Sequence, residues 1–418
     1  MASVPTLSDA ETLTALRTCV HCGICLPACP TYRTLGEEMD SPRGRLYLMR
    51  AVAEGRLPIT EQFTSHLDLC LGCRACETAC PAGVRFGSLL ETARADIERH
   101  GRSGRRRLLT RLLFAVFPHP DRIGPLMGLA RWYQQSGLQG LVRRTGVLGR
   151  FPRLVAMDSL LSRVPQPVHV PEYLPARGKT RGRVAVLAGC VQRHLFADVN
   201  QETVQLLSLA GWDVVVPRGQ GCCGALELHA GHAEVFQERA TALAAAMPDD
   251  VDWVVTNAAG CGAAMREYGH WLPDSPAARL AGRVRDVTEV LADAALPLGP
   301  VPLTVAYHDA CHLAHGQKVR SEPRALLRRI PGLTLVELRD SDLCCGSAGI
   351  YNILEPEMAD RLLAAKLDRI VQSGARVVAT GNPGCLMQIA KGARARGLDL
   401  DVVHTVSLLA RSAGVRAS

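Results

Sequence analysis

The 418-residue chain lacks the features that would place it in a membrane or outside the cell. It contains no apolar run of the ~18–20 residues that a membrane-spanning helix needs, so an integral membrane protein is not expected. Its first residues, Met1 to Pro5, show neither the basic region nor the apolar core of a secretory signal. In a protein that is not exported, the cysteine thiols are expected to stay reduced. We therefore expect a cytoplasmic protein without disulfide bonds, with peripheral contact at the inner face of the cell membrane left open.

Aromatic residues are scarce, and acidic residues are missing from one basic segment. Aromatics make up 4% of a chain that is 47% hydrophobic, so its cores must consist mainly of Leu, Val and Ala. The net charge is +8, and one segment without acidic residues holds Arg99, Arg102, Arg105, Arg106, Arg107 and Arg111. Such a block is typical of a solvated helix face, a membrane-binding surface or a site for an acidic partner. Because no aromatics are interleaved with the arginines, we expect no nucleic acid partner.

Cysteine is abundant, and the first eight of the 16 cysteines are regularly spaced. The string Cys19-x2-Cys22-x2-Cys25-x3-Cys29-Pro30 recurs as Cys70-x2-Cys73-x2-Cys76-x3-Cys80-Pro81. This spacing is typical of proteins with two [4Fe–4S] clusters, in which the fourth cysteine of each string binds the other cluster. Structural zinc sites are usually built from two separated cysteine pairs instead. The strings therefore predict two [4Fe–4S] clusters and an electron-transfer function.

Helix signals surround the cysteine strings. Ser41 and Pro42 form a helix start, Gly55 ends that helix, and a second helix is predicted from Phe86 to His100. Residues 1–104 should therefore form a helical domain, similar to the ferredoxin module of succinate dehydrogenase iron–sulfur subunits. Residues 105–178 are predicted to be a basic helical linker, whose apolar residues pack against a neighbouring domain or bind a membrane surface.

The remainder of the chain is a duplication. Three segments of the first copy, Arg183-VAVLAG-Cys190, Gly221-Cys222-Cys223-Gly224 and Trp253-VVTNAAG-Cys261, correspond to Leu303-TVAYHDA-Cys311, Leu343-Cys344-Cys345-Gly346 and Arg376-VVATGNPG-Cys385 in the second. Corresponding cysteines are 121, 122, 122 and 124 residues apart. We therefore predict two similar domains, 179–298 and 299–418.

Each copy alternates short β-branched runs with longer helical patterns. In the first copy the predicted order is strand Ala185–Leu187, helix Phe196–Ala210, strand Val214–Val216, helix Ala225–Ala246 and strand Val254–Thr256. Strands that alternate with helices indicate a parallel sheet. The predicted fold is a multidomain α+β chain, with a helical ferredoxin-like domain followed by two duplicated α/β Cys-Cys-Gly domains with parallel sheets.

The remaining eight cysteines follow predicted strands, at the sheet edge where α/β proteins build their sites. They are Cys190, Cys222, Cys223, Cys261, Cys311, Cys344, Cys345 and Cys385. Soft sulfur ligands suit iron–sulfur or zinc centres, so these cysteines are candidates for a further cluster, with redox dithiols and plain core as alternatives. His194 and His315 could ligate a metal or cap backbone groups, whereas His308, Asp309 and His312 beside Cys311 are candidates for tuning or proton delivery. No catalytic residue is predicted.

Four segments resemble the iron–sulfur subunit of bacterial glycolate oxidase (glycolate dehydrogenase). They are Cys19-VHCGICLPACPTY-Arg33, Ser41-PRGRLYLM, Leu67-DLCLGCRACETACPAGV and Cys345-GSAGIYNILEPEMADRLLAAKL. Cys-Cys-Gly units also occur in heterodisulfide reductases, where each unit ends in Cys-x2-Cys. This chain departs from that form, because Ala264 and Gln388 occupy the last position.

The resemblance implies a division of labour between subunits. Partner flavoprotein subunits would oxidise glycolate to glyoxylate on FAD, and this chain would pass electrons towards a quinone or another acceptor. One cluster would be held by Cys19, Cys22, Cys25 and Cys80, and the other by Cys70, Cys73, Cys76 and Cys29. The alternatives are the corresponding subunit of a D-lactate or glycerol-3-phosphate dehydrogenase, or a heterodisulfide-reductase-like thiol/disulfide enzyme.

Overall fold

The computed structural model of the chain describes residues 3–101, 104–146, 150, 158 and 164–415. Arg102, one of the arginines of the basic segment, lies outside the described residues. Among the helices within these ranges, none is long and apolar enough to cross a membrane.

The amino-terminal part is helical, as predicted, and residues 3–101 contain no strand. Its helices are α1 (Ala10–Arg17), α2 (Pro30–Leu35), α3 (Pro42–Ala53), α4 (Glu61–Asp68), α5 (Ala75–Ala79) and α6 (Phe86–Arg99), with a 3₁₀ turn at Glu38–Asp40. Helix α3 begins where the sequence predicts it, because Ser41 Oγ accepts a hydrogen bond from the Gly44 amide and Pro42 occupies the first helical position. The predicted helix from Phe86 is confirmed as α6.

The next segment forms helices α7 (Arg105–Phe114), α8 (Pro120–Gln135) and α9 (Leu138–Arg144). Leu113 of α7 is buried against Ile350 and Ile353 from the carboxyl-terminal part of the chain. One face of the linker therefore packs against a neighbouring domain, whereas Leu108 and Leu112 of the same helix are exposed.

The first α/β unit contains a five-stranded sheet. Its strands are β1 (Tyr173–Leu174), β2 (Gly182–Val186), β3 (Trp212–Val215), β4 (Trp253–Thr256) and β5 (Val284–Asp286). Its helices are α10 (Gln192–Leu195), α11 (Ala197–Leu209), α12 (Ala225–His229), α13 (Ala233–Ala246), α14 (Ala259–Arg266), α15 (Tyr268–Trp271), α16 (Pro276–Arg283) and α17 (Val287–Leu291). The strand order is β1-β3-β2-β4-β5, and all pairs are parallel except β1 with β3.

The second α/β unit repeats this arrangement. Its strands are β6 (Thr304–Tyr307), β7 (Thr334–Glu337), β8 (Val377–Thr380) and β9 (Asp401–His404). Its helices are α18 (Ser321–Arg328), α19 (Tyr351–Leu354), α20 (Pro356–Gln372), α21 (Pro383–Ala395) and α22 (Thr405–Ser412), with a π-helical turn at His312–Gly316. The order β7-β6-β8-β9 is wholly parallel and matches β3-β2-β4-β5, which confirms the duplicated parallel α/β fold.

The two units share one hydrophobic core. Val184 and Leu207 of the first unit belong to the same buried cluster as Val305, Leu326 and Leu409 of the second. Because apolar surface that is buried between the units stabilises both of them, we expect the two units to unfold together.

Some elements differ from the prediction. The predicted helix Ala225–Ala246 is two helices, α12 and α13, separated at Gly231, whose φ is +90°. Strands β5 and β9 were not predicted, because each is short and carries charged residues. Strand β1 lies within the segment that the sequence assigns to the linker, and it pairs with β3. The domain limits at 104, 178 and 298 stay a prediction.

Candidate metal centres

The two cysteine strings face each other around two adjoining cavities. The first cavity is bordered by Cys19, Cys22, Cys25 and Cys80. The second cavity is bordered by Cys29, Cys70 and Cys73. Pro42, Cys76 and Phe86 line both, so the two cavities share a wall. The last cysteine of each string thus lies beside the other string's first cysteines.

The two strings fold in the same way. The residues on either side of the second cysteine have left-handed φ angles in both strings: 56° at His21 and 83° at Gly23, and 62° at Gly72 and 64° at Arg74. L-residues adopt this conformation rarely, at a cost of roughly 1–2 kcal/mol, so its presence at His21 and Arg74 indicates a backbone that is fixed by its surroundings. These turns allow the thiols of one string to converge on one cavity.

The strings differ in their exposure. Cys22 is exposed, and its neighbours Val20 and Ile24 are 70% and 56% exposed. Cys70 and Cys73 are buried. The first cavity therefore lies near the surface, and the second lies inside the molecule.

Arg45 supports the second cavity. Its side chain is 0% exposed, donates to Thr31 Oγ1 at 3.1 Å and to the His66 carbonyl at 2.7 Å, and approaches Cys29 Sγ at 4.0 Å. Thr31 Oγ1 lies 3.2 Å from the same sulfur. Arg45 was not among the predicted site residues, although an arginine between the apolar positions of α3 is a signal that could have indicated it.

The second cysteine string is held by all three parts of the chain. Arg94 of α6 donates to the Cys70 carbonyl at 2.6 Å and to the His229 carbonyl of the first unit at 2.8 Å. From the second unit, Tyr351 donates to the Leu69 carbonyl at 2.9 Å, and His312 Nε2 bonds the Gly72 carbonyl at 3.2 Å. The string is therefore fixed where the helical part meets both α/β units.

Two buried histidines stack at this junction. The rings of His229 and His312 are 4.8 Å apart with an interplanar angle of 27°, and His229 Nδ1 lies 3.0 Å from Glu91 Oε1. Burial, together with nearby arginines, lowers the pKa of each imidazole to about 3, so both rings are neutral near pH 7. Burial raises the pKa of Glu91 to about 7. Sequence patterns could not indicate this contact, because its three residues come from separate domains.

In the first α/β unit, the four cysteines converge at the carboxyl ends of the strands. The sulfurs of Cys190 and Cys222 are 3.4 Å apart, and Cys223 interacts with both Cys222 and Cys261. Helix α8 of the linker covers this group, because Ile123 and Met127 pack against Cys190 and Cys222.

The second unit places a histidine among its cysteines. Donor atoms of His308, Cys345 and Cys385 all lie within 4.8 Å of one another. Cys344 interacts with both Cys311 and Cys345. Hydrogen bonds from the Cys344 and Cys385 thiols hold the pKa of Cys345 well below its usual range, although burial opposes this shift.

The other histidines that the sequence offers as ligands bond to protein groups. His194 Nε2 bonds the Pro120 carbonyl at 2.8 Å. His315 Nδ1 bonds Thr78 Oγ1 at 2.9 Å, and its Nε2 bonds the Asp342 carbonyl at 3.3 Å. These contacts support the capping alternative for both residues.

The donor sets suit iron–sulfur clusters. All 16 cysteines are free thiols. Burial and neighbouring thiols raise the pKa of Cys73 and Cys76 well above the usual value, and burial raises that of Cys25 to about 11. Several thiolates in one buried site repel one another, and bound metal cations remove that repulsion. Four converging thiols around each cavity therefore fit an iron–sulfur cluster.

Sequence comparisons agree with this geometry. Residues 15–84 match the 4Fe-4S dicluster domain, and residues 184–266 and 305–390 match the Cysteine-rich domain. Residues 105–161 match the linker region of the glycolate oxidase iron-sulfur subunit. The fold and the cysteine sites thus define an iron–sulfur protein with a dicluster domain and two cysteine-rich units.

Relatives along the whole chain identify the family. The chain is 42% identical to the probable glycolate oxidase iron-sulfur subunit of Bacillus subtilis, over 96% of this chain and 95% of that protein. It is 34% identical to the glycolate oxidase iron-sulfur subunit of Escherichia coli, over 91% of each. Lactate utilization protein A of Oceanobacillus iheyensis matches only 54% of this chain, at 30% identity. The chain belongs to the glycolate oxidase iron–sulfur subunit family.

Proposed function

We propose that the chain is the electron-transfer subunit of a glycolate oxidase and holds two [4Fe–4S] clusters. The observation that carries this proposal is the pair of adjoining, thiol-lined cavities in a chain of this family. Such clusters accept and pass single electrons. The ligands would be Cys19, Cys22, Cys25 and Cys80 for the first cavity, and Cys70, Cys73, Cys76 and Cys29 for the second.

The residues around the cavities would serve this function by position and by charge. Pro42 and Phe86 are apolar parts of the wall that the two cavities share. Arg45 places a buried guanidinium beside Cys29, and the carboxylate of Asp40 pairs with it at 3.4 Å. Hydrogen bonds and charge near the ligand sulfurs set the potential of an iron–sulfur cluster, so this ion pair would help to set the potential of the second site.

The electron donor would be a flavoprotein subunit that binds FAD and oxidises glycolate to glyoxylate, releasing two electrons and two protons. We place its docking surface at the loop that carries Val20, Cys22 and Ile24. This loop combines exposed apolar side chains with a cysteine of the first cavity.

The electron acceptor would be a quinone or another carrier, reached by peripheral contact with a membrane. The candidate contact is the exposed face of α7, where Leu108 and Leu112 lie beside Arg107 and Arg111. Apolar and basic side chains on one helix face suit binding to an anionic membrane surface. Arg106 does not belong to this face, because it is ion-paired with Glu355.

The test is to purify the full chain without oxygen and to add a glycolate-oxidising flavoprotein with glycolate. We expect about eight iron and eight sulfide per chain in the dicluster domain, and loss of the cluster absorbance on reduction. The Cys73→Ser variant should lose about half of this iron and accept electrons poorly.

Thr18→Ala is the matched control for the cysteine variant, because Thr18 lies beside the first string and its side chain donates to the Thr14 carbonyl, away from both cavities' lining residues. It should keep the iron and the reduction of the wild-type chain. A wild-type preparation without iron and sulfide, or with clusters that glycolate and the flavoprotein leave oxidised, would reject the proposal.

A further inference from the structure

We infer that the second α/β unit holds an additional iron–sulfur centre, in which His308 Nε2 binds the same metal atom as Cys345 and Cys385. This inference extends the proposed electron-transfer function and rests on it. It differs from the sequence expectation, in which His308 was only a candidate for tuning or proton delivery.

The tautomer of His308 is fixed by the protein. The side chain is 0% exposed, and Nδ1 lies 3.0 Å from the Ser341 carbonyl, which can only accept a hydrogen bond. Nδ1 therefore carries a proton, and Nε2 is the ring nitrogen that can bind a metal. A metal-binding histidine is held in this way, with its other ring nitrogen donating to a carbonyl or carboxylate.

Nε2 of His308 is buried and forms no hydrogen bond of ordinary geometry with the described residues, whereas the ring interacts with the Cys345 thiol. The free ring nitrogen is therefore directed at a thiol, as expected for two ligands of one metal atom. One donor atom of His308 and the sulfurs of Cys345 and Cys385 all lie within 4.8 Å of one another. Ligand atoms at about 2.0–2.3 Å from one tetrahedral metal atom lie ~3.4–3.8 Å apart, so each of these three atoms must move by less than about 1 Å to bind one metal.

The surroundings favour iron in a redox centre over structural zinc. Cys311 and Cys344, the remaining thiols of the unit, lie in one buried cluster with Cys73 of the second cavity. A metal held here would therefore adjoin the dicluster domain, where electrons pass. The combined sulfur and nitrogen donors suit both zinc and iron–sulfur centres, so the neighbouring redox site decides the assignment.

The two α/β units are chemically unequal at this position. Leu187 takes the place of His308 in the first unit: the Leu187 amide bonds the Val255 carbonyl just as the His308 amide bonds the Ala379 carbonyl. Leucine offers no ligand, so the first unit has thiols alone at the corresponding site. Histidine ligation raises the potential of an iron–sulfur centre compared with thiolate ligation, so the second unit should hold a centre of relatively high potential.

The experiment uses the full chain, purified without oxygen after labelling its histidines with ¹⁵N. Iron, sulfide and zinc are counted, the centres are titrated electrochemically, and ¹⁵N hyperfine coupling is measured by pulsed EPR. We expect more than eight iron per chain and a ¹⁵N coupling in the wild type. His308→Leu should lose the coupling and the iron above eight. His308→Cys should keep that iron, lose the coupling and lower the potential of the centre.

His404→Gln is the control, because His404 is also buried in the second unit and both of its ring nitrogens bond backbone groups. It should change neither the iron content nor the coupling. Eight iron in a wild-type chain that glycolate still reduces would overturn this inference and leave the proposed function intact. A ¹⁵N coupling that persists in His308→Leu, or stoichiometric zinc at the site, would also overturn it.

Discussion

Buried cations accompany the thiol groups of the molecule. Arg45 lies against Cys29, and Lys366, which is buried in the second unit, donates to the carbonyls of Asp340 at 2.8 Å and Ser341 at 3.1 Å. Burying a charged group away from water costs free energy unless the group is hydrogen-bonded or ion-paired. Lys366 is hydrogen-bonded to backbone groups and can offset the negative charge of neighbouring thiolates, whereas Arg45 is also paired with the buried carboxylate of Asp40 at 3.4 Å.

A buried carboxyl group, that of Glu202, should make the stability of the folded protein depend on pH. Burial raises the pKa of Glu202 to about 7, although Ser407 donates a hydrogen bond to it at 2.6 Å. The folded state therefore keeps a proton that the unfolded chain loses near pH 4.5, and stability falls as pH rises from about 4.5 to 7. Glu202→Gln should not suffer this loss. We expect the variant to be more stable than the wild type by about 2 kcal/mol at pH 8, and equal to it below pH 4.5.

Ser407→Ala is the matched variant, and its effect on stability at high pH should be opposite to that of Glu202→Gln. It removes the hydrogen bond that favours the ionised carboxylate, so it should lower stability more at pH 8 than at pH 5. Apparent thermal midpoints at both pH values, measured without oxygen, check both variants. Equal midpoints for Glu202→Gln and the wild type at pH 8 would show that Glu202 is ionised in the folded protein at no cost.

At the scale of secondary-structure elements, the sequence predicts best those helices whose start or end is determined by adjacent residues. The helix at Pro42 was predictable because its cap and first residue are adjacent in the sequence. The break between α12 and α13 was not, because it results from a tertiary contact. A Cβ atom at Gly231 would lie 2.4 Å from the Arg94 carbonyl oxygen of α6. The chain must therefore turn away at Gly231 to let α6 approach.

This close approach makes Gly231→Ala a strongly destabilising change. The new methyl group meets the backbone of α6, and alanine is also strained at a φ of +90°. We expect a loss of about 3 kcal/mol, of which about 1 kcal/mol comes from the backbone conformation. Since α6 carries Arg94, which bonds the Cys70 carbonyl, iron should also leave the protein faster in the presence of a chelator.

Gly374→Ala separates the cost of the strained backbone conformation from the cost of the clash with α6. Gly374 follows α20 with a φ of +71°, and no atom outside its immediate chain neighbours lies within 4 Å of the position that an alanine Cβ would occupy there. This variant should show the backbone cost alone, with a fall in apparent thermal midpoint of less than half that of Gly231→Ala and an unchanged rate of iron release. Equal effects of the two variants would mean that α6 moves aside freely.

At the scale of the whole molecule, the sites are arranged from the surface inwards. The first cavity lies beside exposed Val20 and Ile24, the second shares its wall, and Cys73 then packs beside Cys311. The cysteine spacing could suggest which thiols lie near each cavity, because each group consists of one short string and one cysteine from the other string. That these thiols bind clusters stays a prediction. The contact between Cys73 and the second unit was not predictable, since it depends on how the domains pack.

This arrangement predicts that mutations can weaken the proposed flavoprotein surface and the proposed membrane surface independently of each other. Val20→Glu with Ile24→Glu places charge on the proposed flavoprotein surface and should slow reduction by glycolate and flavoprotein at least tenfold. Reduction by dithionite should not change. Arg107→Glu with Arg111→Glu reverses charge on the exposed face of α7. It should weaken binding to vesicles that contain anionic lipid by about 2–4 kcal/mol at low salt, without slowing reduction by the flavoprotein.

The controls place the same charge elsewhere on the surface. Val371 is 54% exposed on α20, so Val371→Glu tests whether any new surface glutamate slows reduction. Arg376 is exposed before β8, so Arg376→Glu tests whether any reversed arginine weakens vesicle binding. Both controls should behave like the wild type. If the α7 variant binds vesicles as well as Arg376→Glu does, then α7 is not the membrane surface. If the Val20 and Ile24 variant is reduced as fast as Val371→Glu, the flavoprotein docks elsewhere, because a charge of either sign in an apolar contact must lower its affinity.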